Sequence, residues 1–178
     1  DVCSSDLAVV LAALLTGCAP ESADSSASPT AAATCAKDQL KTLTAGTLTI
    51  ATGQPAYYPW VIDDAPESGN GFEAAVAYAV ATKLGFANSE VTWVRTTFDS
   101  AIAPGAKDFD FNLQQYTITD ERKQAVDFSS PYYTTPQAIV AVKGGKLDGV
   151  TSIAELKDAK LGAGVGTTAI DIIKTTVG

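Results

Sequence analysis

The sequence lacks histidine and methionine altogether and has only three cysteines among its 178 residues. Without histidine, the chain has neither the commonest general base nor the commonest metal ligand of proteins. The cysteines, Cys3, Cys18 and Cys35, form no C-x-x-C pair, and no histidine is present to complete a zinc site. We therefore expect no metal site and no cofactor.

Positive charge is also scarce. The chain has 12 Lys and Arg residues against 20 Asp and Glu residues, a formal net charge of -8. Nucleic-acid binding requires a basic surface that faces the phosphates, so this balance argues against a nucleic-acid partner. An acidic surface otherwise says little, because it is common in secreted proteins and keeps them in solution.

The N-terminal segment contains an apolar run at residues 7–15, which is too short to span a bilayer but suits the core of a signal peptide. It leads into Leu15-Thr16-Gly17-Cys18, which resembles a bacterial lipobox. We therefore expect Cys18 to carry a lipid that anchors the protein to the extracytoplasmic face of the cell membrane. A plain secretory signal, or a core helix with an incidental cysteine, is the alternative interpretation.

The remaining N-terminal residues carry no signal of a folded core. Because no methionine starts the chain, we interpret residues 1–7 as a translated adapter segment. Residues 19–34 are small or polar and cannot bury enough apolar surface to offset their ordering entropy, which predicts a flexible tether. Residues 1–34 are thus assigned to adapter, lipoprotein signal and tether. Cys35 follows alone, and a disulfide partner after residue 178 is one hypothesis for it.

From residue 47 onward the pattern alternates between strands and helices. Strands are predicted at 47–52, 91–94, 109–113, 137–143 and 160–165, helices at 72–84, 98–103, 152–156 and 168–177, and a helical turn capped by Thr119 at 119–122. This order indicates an α/β fold with a largely parallel sheet, in which ligands gather at the carboxyl ends of the strands. The loops at 53–60, 114–122 and 164–168 are therefore candidates for a site.

Five motifs in these regions resemble the family 3 solute-binding proteins of polar amino-acid transport. They are Thr47-Leu48-Thr49-Ile50-Ala51-Thr52, Gly71-Phe72-Glu73, Thr117-Ile118-Thr119-Asp120-Glu121-Arg122, Val126-Asp127-Phe128-Ser129-Ser130-Pro131-Tyr132-Tyr133 and Gly164-Val165-Gly166-Thr167-Thr168. The resemblance implies a type II periplasmic-binding-protein-like fold, in which two α/β lobes joined by a hinge close on an amino acid. It also implies that lobe 1 covers 35–137, that 138–178 hold a hinge strand and the start of lobe 2, and that the sequence is truncated within lobe 2.

The same resemblance assigns the carboxylate end of the ligand to Arg122, Thr167 and Thr168. A guanidinium binds a carboxylate through a planar fork of donors and stays charged, so Arg122 suits this role. Thr167 and Thr168 would approach the same carboxylate from lobe 2, after a glycine-rich turn. Without the resemblance, Arg122 would be interpreted as a solvated residue in a charged run, and the threonines as the cap of an ordinary turn.

The other end of the ligand is assigned to Tyr57, Phe98, Gln115 and Thr117. The resemblance implies that the two aromatic rings flank the ligand side chain, and that Gln115 and Thr117 accept hydrogen bonds from its ammonium group. Gln114 and Gln115 depart from the family pattern, which has Ser or Gly there. No acid occurs near Gly53-Gln54, where relatives for cationic amino acids carry Asp, so a polar, non-cationic amino acid is predicted.

The expected function is therefore binding of a free amino acid and its delivery to the transmembrane subunits of an ABC importer, by a monomer and without enzymatic activity. Two alternatives remain open, a ligand-sensing lobe of a receptor and a dehydratase or transglycosylase-associated enzyme of the same fold. The carboxylate pairs that an enzyme could use are Asp63 with Asp64 and Asp108 with Asp110. Neither pair is predicted to lie in a dry pocket.

Overall fold

A computed structural model describes residues 36–178 and contains one parallel sheet with helices around it. The strands are β1 (Leu48–Gly53), β2 (Val91–Thr96) and β3 (Phe111–Asn112), in the order β2-β1-β3. The α-helices are α1 (Phe72–Lys83), α2 (Phe98–Ile102) and α3 (Ala169–Ile172), and α3 continues into a π-helical turn at Ile173–Val177. Short 3-10 turns lie at Lys37–Gln39, Ile62–Asp64, Pro66–Ser68, Asn88–Glu90, Arg122–Gln124 and Ile153–Leu156.

Strand β1 is the centre of the sheet and of the core. All six of its residues are buried, and Ile50 pairs with Trp93 of β2 on one side and with Phe111 of β3 on the other. A parallel strand that has neighbours on both sides is also covered on both faces. Its sequence is therefore a continuous run of apolar and β-branched residues, as in Leu48 to Thr52. The core around it includes Phe86 and Leu113.

Helix α1 packs on the sheet through small residues. Ala74, Ala77 and Ala81 are fully buried, whereas Phe72 and Val80, two of the apolar residues that predict the helix, are exposed. Alanine has no side chain beyond Cβ, so its face lets the helix approach the sheet closely. The apolar spacing therefore predicts the helix correctly, but its fully buried residues include the alanines, and its large apolar residues are at most partly buried against the core.

The sheet is smaller than the sequence predicts. The strands predicted at 47–52, 91–94 and 109–113 and the helices at 72–84 and 98–103 are present with shifted ends. The strands predicted at 137–143 and 160–165 are wrong, because within residues 36–178 neither segment pairs with a strand. Val140 is 92% exposed, and β-branched residues favour a strand only where a neighbour covers them. The helices predicted at 152–156 and 168–177 are a 3-10 turn and the α3 segment.

Some predictions concern residues that the structure does not describe. The apolar run, the lipobox with Cys18, the tether and Cys35 all lie outside the described residues 36–178. Within the described range, no helix combines the length and the apolar composition needed to cross a bilayer. In the same range, no group of three or more His, Cys, Asp or Glu side chains is placed to hold a metal ion.

Candidate functional site

The carboxyl ends of all three strands open onto one cleft of about 280 Å³. The loops that follow the strands line it, together with a loop from the C-terminal part of the chain. The lining residues are Thr52, Gly53, Gln54, Pro55, Ala56, Tyr57, Thr97, Phe98, Gln114, Gln115, Gly164, Val165 and Thr167. This is the edge at which parallel sheets hold their ligands, and each of the three candidate loops predicted from the sequence contributes to it.

Arg122 lies beside this cleft and is only 8% exposed. Its Nη1 donates to the carbonyl oxygen of Thr117 at 2.6 Å, and its Nη2 donates to the carbonyl oxygen of Gly166 at 2.7 Å. Its guanidinium carbon lies 5.3 Å from the ring centre of Phe98 and 5.9 Å from that of Tyr116, within the range of cation–π attraction. A buried, immobilised guanidinium at the edge of a cleft is a suitable receptor for an anion.

The backbone around Arg122 differs from the predicted helical turn. A three-residue 3-10 turn begins at Arg122 itself, and Thr119 Oγ1 accepts the Arg122 N–H at 3.2 Å. So short a turn has few aligned peptide dipoles, since the helix dipole sums over many residues. Attraction of an anion to this site therefore depends on the guanidinium rather than on a helix N-terminus.

Two of the three threonines predicted to bind the ligand meet near Arg122. The hydroxyl oxygens of Thr117 and Thr168 lie 3.4 Å apart, although 51 residues separate them in the sequence. Thr167 differs, because its hydroxyl donates to the Gly164 carbonyl oxygen at 2.7 Å and so closes its own turn. The structure thus brings Arg122, Thr117 and Thr168 together, while the Thr167 side chain is engaged in the loop that lines the cleft.

Aromatic residues contribute to the lining of the cleft. Phe98 and Tyr57 both line it, and Tyr57 is 63% exposed. Phe98 packs against Tyr116, with ring centres 4.4 Å apart. The Tyr116 hydroxyl lies 2.9 Å from Gln114 Oε1, and burial raises the pKa of Tyr116, so this phenol is a neutral donor. Tyr116 was not predicted from the sequence, where only its position next to Thr117 could have suggested it.

Gln115 is held by a buried carboxylate. Its backbone N–H donates to Glu73 Oε1 at 2.9 Å, and its side-chain Nε2 donates to Glu73 Oε2. The Tyr132 hydroxyl also donates to Glu73 Oε1. Glu73 is 1% exposed, and burial raises the pKa of its carboxyl, an effect that these hydrogen bonds partly oppose. Glu73 and Tyr132 were not predicted, although both belong to motifs that the sequence analysis identified.

One carboxylate of each pair considered for an enzyme has structural contacts. Asp64 Oδ1 accepts the Ala56 N–H at 2.7 Å and also pairs with the Arg95 guanidinium, so Asp64 braces the loop that carries Tyr57. Asp110 accepts the N–H groups of Leu43 at 2.8 Å and Thr49 at 2.7 Å, which holds the start of β1. These contacts account for both side chains without a catalytic role.

Comparison with known proteins gives a consistent result. Residues 48–166 match the bacterial extracellular solute-binding proteins, family 3. The chain is 33% identical to the L-arginine-binding protein of Pseudomonas aeruginosa over 117 residues, which cover 65% of this chain and 43% of that protein. It is 32% identical to a probable histidine-binding protein of Campylobacter jejuni over 124 residues, which cover 68% of this chain and 46% of that protein. It is 37% identical to the L-cystine-binding protein TcyJ of Escherichia coli over 98 residues, which cover 54% of this chain and 35% of that protein.

The matched segments thus span less than half the length of these three relatives. No solved structure matches the chain significantly. The relatives are named as binding proteins, in agreement with the expectation of a binding protein rather than an enzyme. The family match covers all three strands and the cleft residues up to Val165, and the α/β fold with its parallel sheet agrees with it. The chain belongs to the bacterial extracellular solute-binding proteins of family 3.

Proposed function

We propose that this chain is part of an extracytoplasmic protein that binds a free amino acid in the cleft and delivers it to an ABC importer. The observation that carries the proposal is the placement of Arg122, buried and fixed at the edge of a cleft that polar and aromatic side chains line. The names of the relatives support an amino acid as the ligand, and every amino acid has an α-carboxylate.

The carboxylate of the amino acid binds at Arg122. The two carbonyl oxygens that now accept from the guanidinium carry only partial charge, so a carboxylate is a stronger acceptor for the same fork of donors. The hydroxyls of Thr117 and Thr168 lie close to one another and can both donate to that carboxylate. Thr167, on the loop that lines the cleft, closes on the ligand from the same side as Thr168.

The ammonium group and the side chain occupy the rest of the cleft. Gln115 lines it and has an amide oxygen that can accept from an ammonium, as can the hydroxyl oxygen of Thr117. Phe98 and Tyr57 lie on either side of the ligand side chain, where their rings contribute apolar contact area at little entropic cost.

A polar, non-cationic amino acid is our proposed ligand. No Asp or Glu side chain lines the cleft among the described residues, and Gln54, Gln114 and Gln115 offer neutral hydrogen-bonding groups. The relative named for L-cystine is compatible with this choice, whereas those named for arginine and histidine do not support it. The proposal on ligand charge therefore rests on the residues of this cleft alone.

The route of delivery follows from the N-terminal sequence. A lipid on Cys18 would hold the protein to the outer face of the membrane, and residues 19–34 would let it reach the transmembrane subunits of the importer while acting as a monomer. This part of the proposal rests on the sequence of that segment.

Calorimetry with the full-length protein tests the binding function. All twenty common L-amino acids would be titrated separately, and we expect one or a few polar, uncharged ones to bind with a Kd of about 1 µM. Tight binding of arginine or lysine alone would overturn the proposed specificity but retain the function. Absence of heat with every amino acid, for a protein shown to be folded by circular dichroism, would overturn the function itself.

A further inference from the structure

We propose that Glu73 is a positioning residue of the cleft. It orients the side-chain amide of Gln115 so that the amide oxygen remains available as an acceptor for the ammonium group of the ligand. This inference rests on the proposed function and deepens it. Glu73 lies in the first turn of α1 beneath the cleft and is 1% exposed, so it acts through Gln115, which lines the cleft, and not on the ligand directly.

Three hydrogen-bond donors reach Glu73. The backbone N–H of Gln115, its side-chain NH₂ group and the Tyr132 hydroxyl all donate to the two carboxylate oxygens. An ionised carboxylate only accepts hydrogen bonds, which matches this set of donors. A buried carboxylate with several well-placed donors holds them firmly, because leaving any of these groups unpaired is costly.

The backbone of Gln115 has an uncommon conformation. Its φ is 52°, in the left-handed region that residues other than glycine rarely adopt. Such a conformation persists only where the surroundings impose it. Here the same carboxylate accepts from both the backbone and the side chain of Gln115, which fixes the residue at two points.

The remaining polar atom of the Gln115 side chain suits an ammonium group. The NH₂ group of the Gln115 amide donates to Glu73, so the polar atom of that amide that remains for other contacts is the oxygen Oε1. Among the described residues, no hydrogen-bond donor reaches this oxygen, and Gln115 lines the cleft. An ammonium has only donors, so it requires an acceptor of this kind.

The neutral substitution Glu73→Gln tests the inference with little change of shape. A glutamine at this position has an NH₂ group of its own, which pairs with the Gln115 oxygen and consumes the acceptor. Four amino acids would be compared with their analogues lacking the α-amino group: L-serine with 3-hydroxypropanoate, L-glutamine with 4-carbamoylbutanoate, L-arginine with 5-guanidinopentanoate and L-histidine with 3-(imidazol-4-yl)propanoate. The ratio of the two Kd values isolates the contribution of the ammonium.

In the wild-type protein, loss of the amino group should raise the Kd about 10- to 100-fold for whichever of these amino acids binds. In Glu73→Gln this ratio should fall below about 5-fold. A purely structural role would weaken both members of a pair equally and leave the ratio unchanged. The surface substitution Glu67→Gln removes the same charge and should preserve the wild-type ratio.

A second variant covers the case in which Glu73→Gln does not fold. Gln115→Met removes the amide and should lower the same ratio, with circular dichroism to confirm folding. An unchanged ratio in the folded Glu73→Gln protein, or in Gln115→Met when the first does not fold, would overturn the inference and leave the proposed function intact. Failure of the wild-type protein to bind any amino acid would overturn both, so the two failures are distinguishable.

Discussion

Arg122 and Gly166 are joined by a hydrogen bond of 2.7 Å from Nη2 to the carbonyl oxygen, across 44 residues of sequence. This bond holds the glycine-rich loop of the C-terminal segment against the cleft at the ends of the strands. It also places a neutral acceptor at the position where the proposed function requires a charged one. The arrangement suggests that the ligand carboxylate and the Gly166 carbonyl compete for the same donors.

Removal of the guanidinium should abolish most binding. We expect Arg122→Ala to raise the Kd of the best amino acid from the calorimetric panel at least about 100-fold, because the carboxylate would lose a charge-assisted pair in a closed site. Lys123→Ala is the matched control, since Lys123 carries the same charge next to Arg122 but has a side chain that is 55% exposed and paired with Asp120. Equal affinity of Arg122→Ala and wild type would remove Arg122 from the site.

Glu73 should make stability depend on pH in a predictable direction. Burial raises the pKa of this carboxyl in the folded protein above its ordinary value of 4.5. The folded state therefore binds this proton more readily than the unfolded state does. The contribution of Glu73 to stability is fully present below pH 4.5 and is lost as the pH rises through its higher folded pKa.

The measurement is the free energy of unfolding in urea for wild type and Glu73→Gln, between about pH 4 and about pH 7. Wild type should lose stability relative to Glu73→Gln as the pH rises. Glu90 and Asp120, whose pKa values are lowered by hydrogen bonds with Lys37 and Lys123, act in the opposite sense in both proteins and cancel in the difference. The free energy of unfolding of wild type minus that of Glu73→Gln should therefore decrease as the pH rises. A value that stays constant or increases with pH would contradict the expectation.

The loop that carries Tyr57 should depend on Asp64. We expect Asp64→Asn to lower the free energy of unfolding by about 1 kcal/mol, because the Ala56 N–H and the Arg95 guanidinium lose a charged acceptor and the pair is partly exposed. Asp63→Asn is the matched control, with the same φ of 55° and an exposed side chain. If the two variants unfold at the same urea concentration, the contacts of Asp64 with Ala56 and Arg95 do not contribute measurably to stability.

Membrane attachment should depend on Cys18. In a bacterium that expresses the full-length protein with its natural start, Cys18→Ser should shift the protein from the membrane fraction to the soluble extracytoplasmic fraction, because the lipid attachment atom is lost. Cys35→Ser, the control, should stay with the membranes. Retention of Cys18→Ser in the membrane fraction would assign the anchoring to another part of the chain.

Much of the fold follows from local sequence pattern. Strand β1 could be predicted because a buried parallel strand is apolar or β-branched along its whole length, and α1 because its apolar residues recur at helical spacing up to a glycine. The strands predicted at 137–143 and 160–165 failed for a physical reason. A β-prone segment becomes a strand only when another strand accepts its hydrogen bonds, and no local pattern supplies that partner.

The candidate site, like the fold, could be predicted only in part from the sequence. The sequence by itself determined that polar and aromatic residues follow the strands, and its resemblance to family 3 predicted that Arg122 and the glycine-rich loop bind the ligand. Only the tertiary structure brought Thr117 within 3.4 Å of Thr168, and three donors from Gln115 and Tyr132 onto Glu73. These contacts join residues 42 to 59 positions apart. They exist because the chain folds α1, the segment after β3 and two later irregular segments together near one edge of the sheet, a relation of space that no periodicity along the chain expresses.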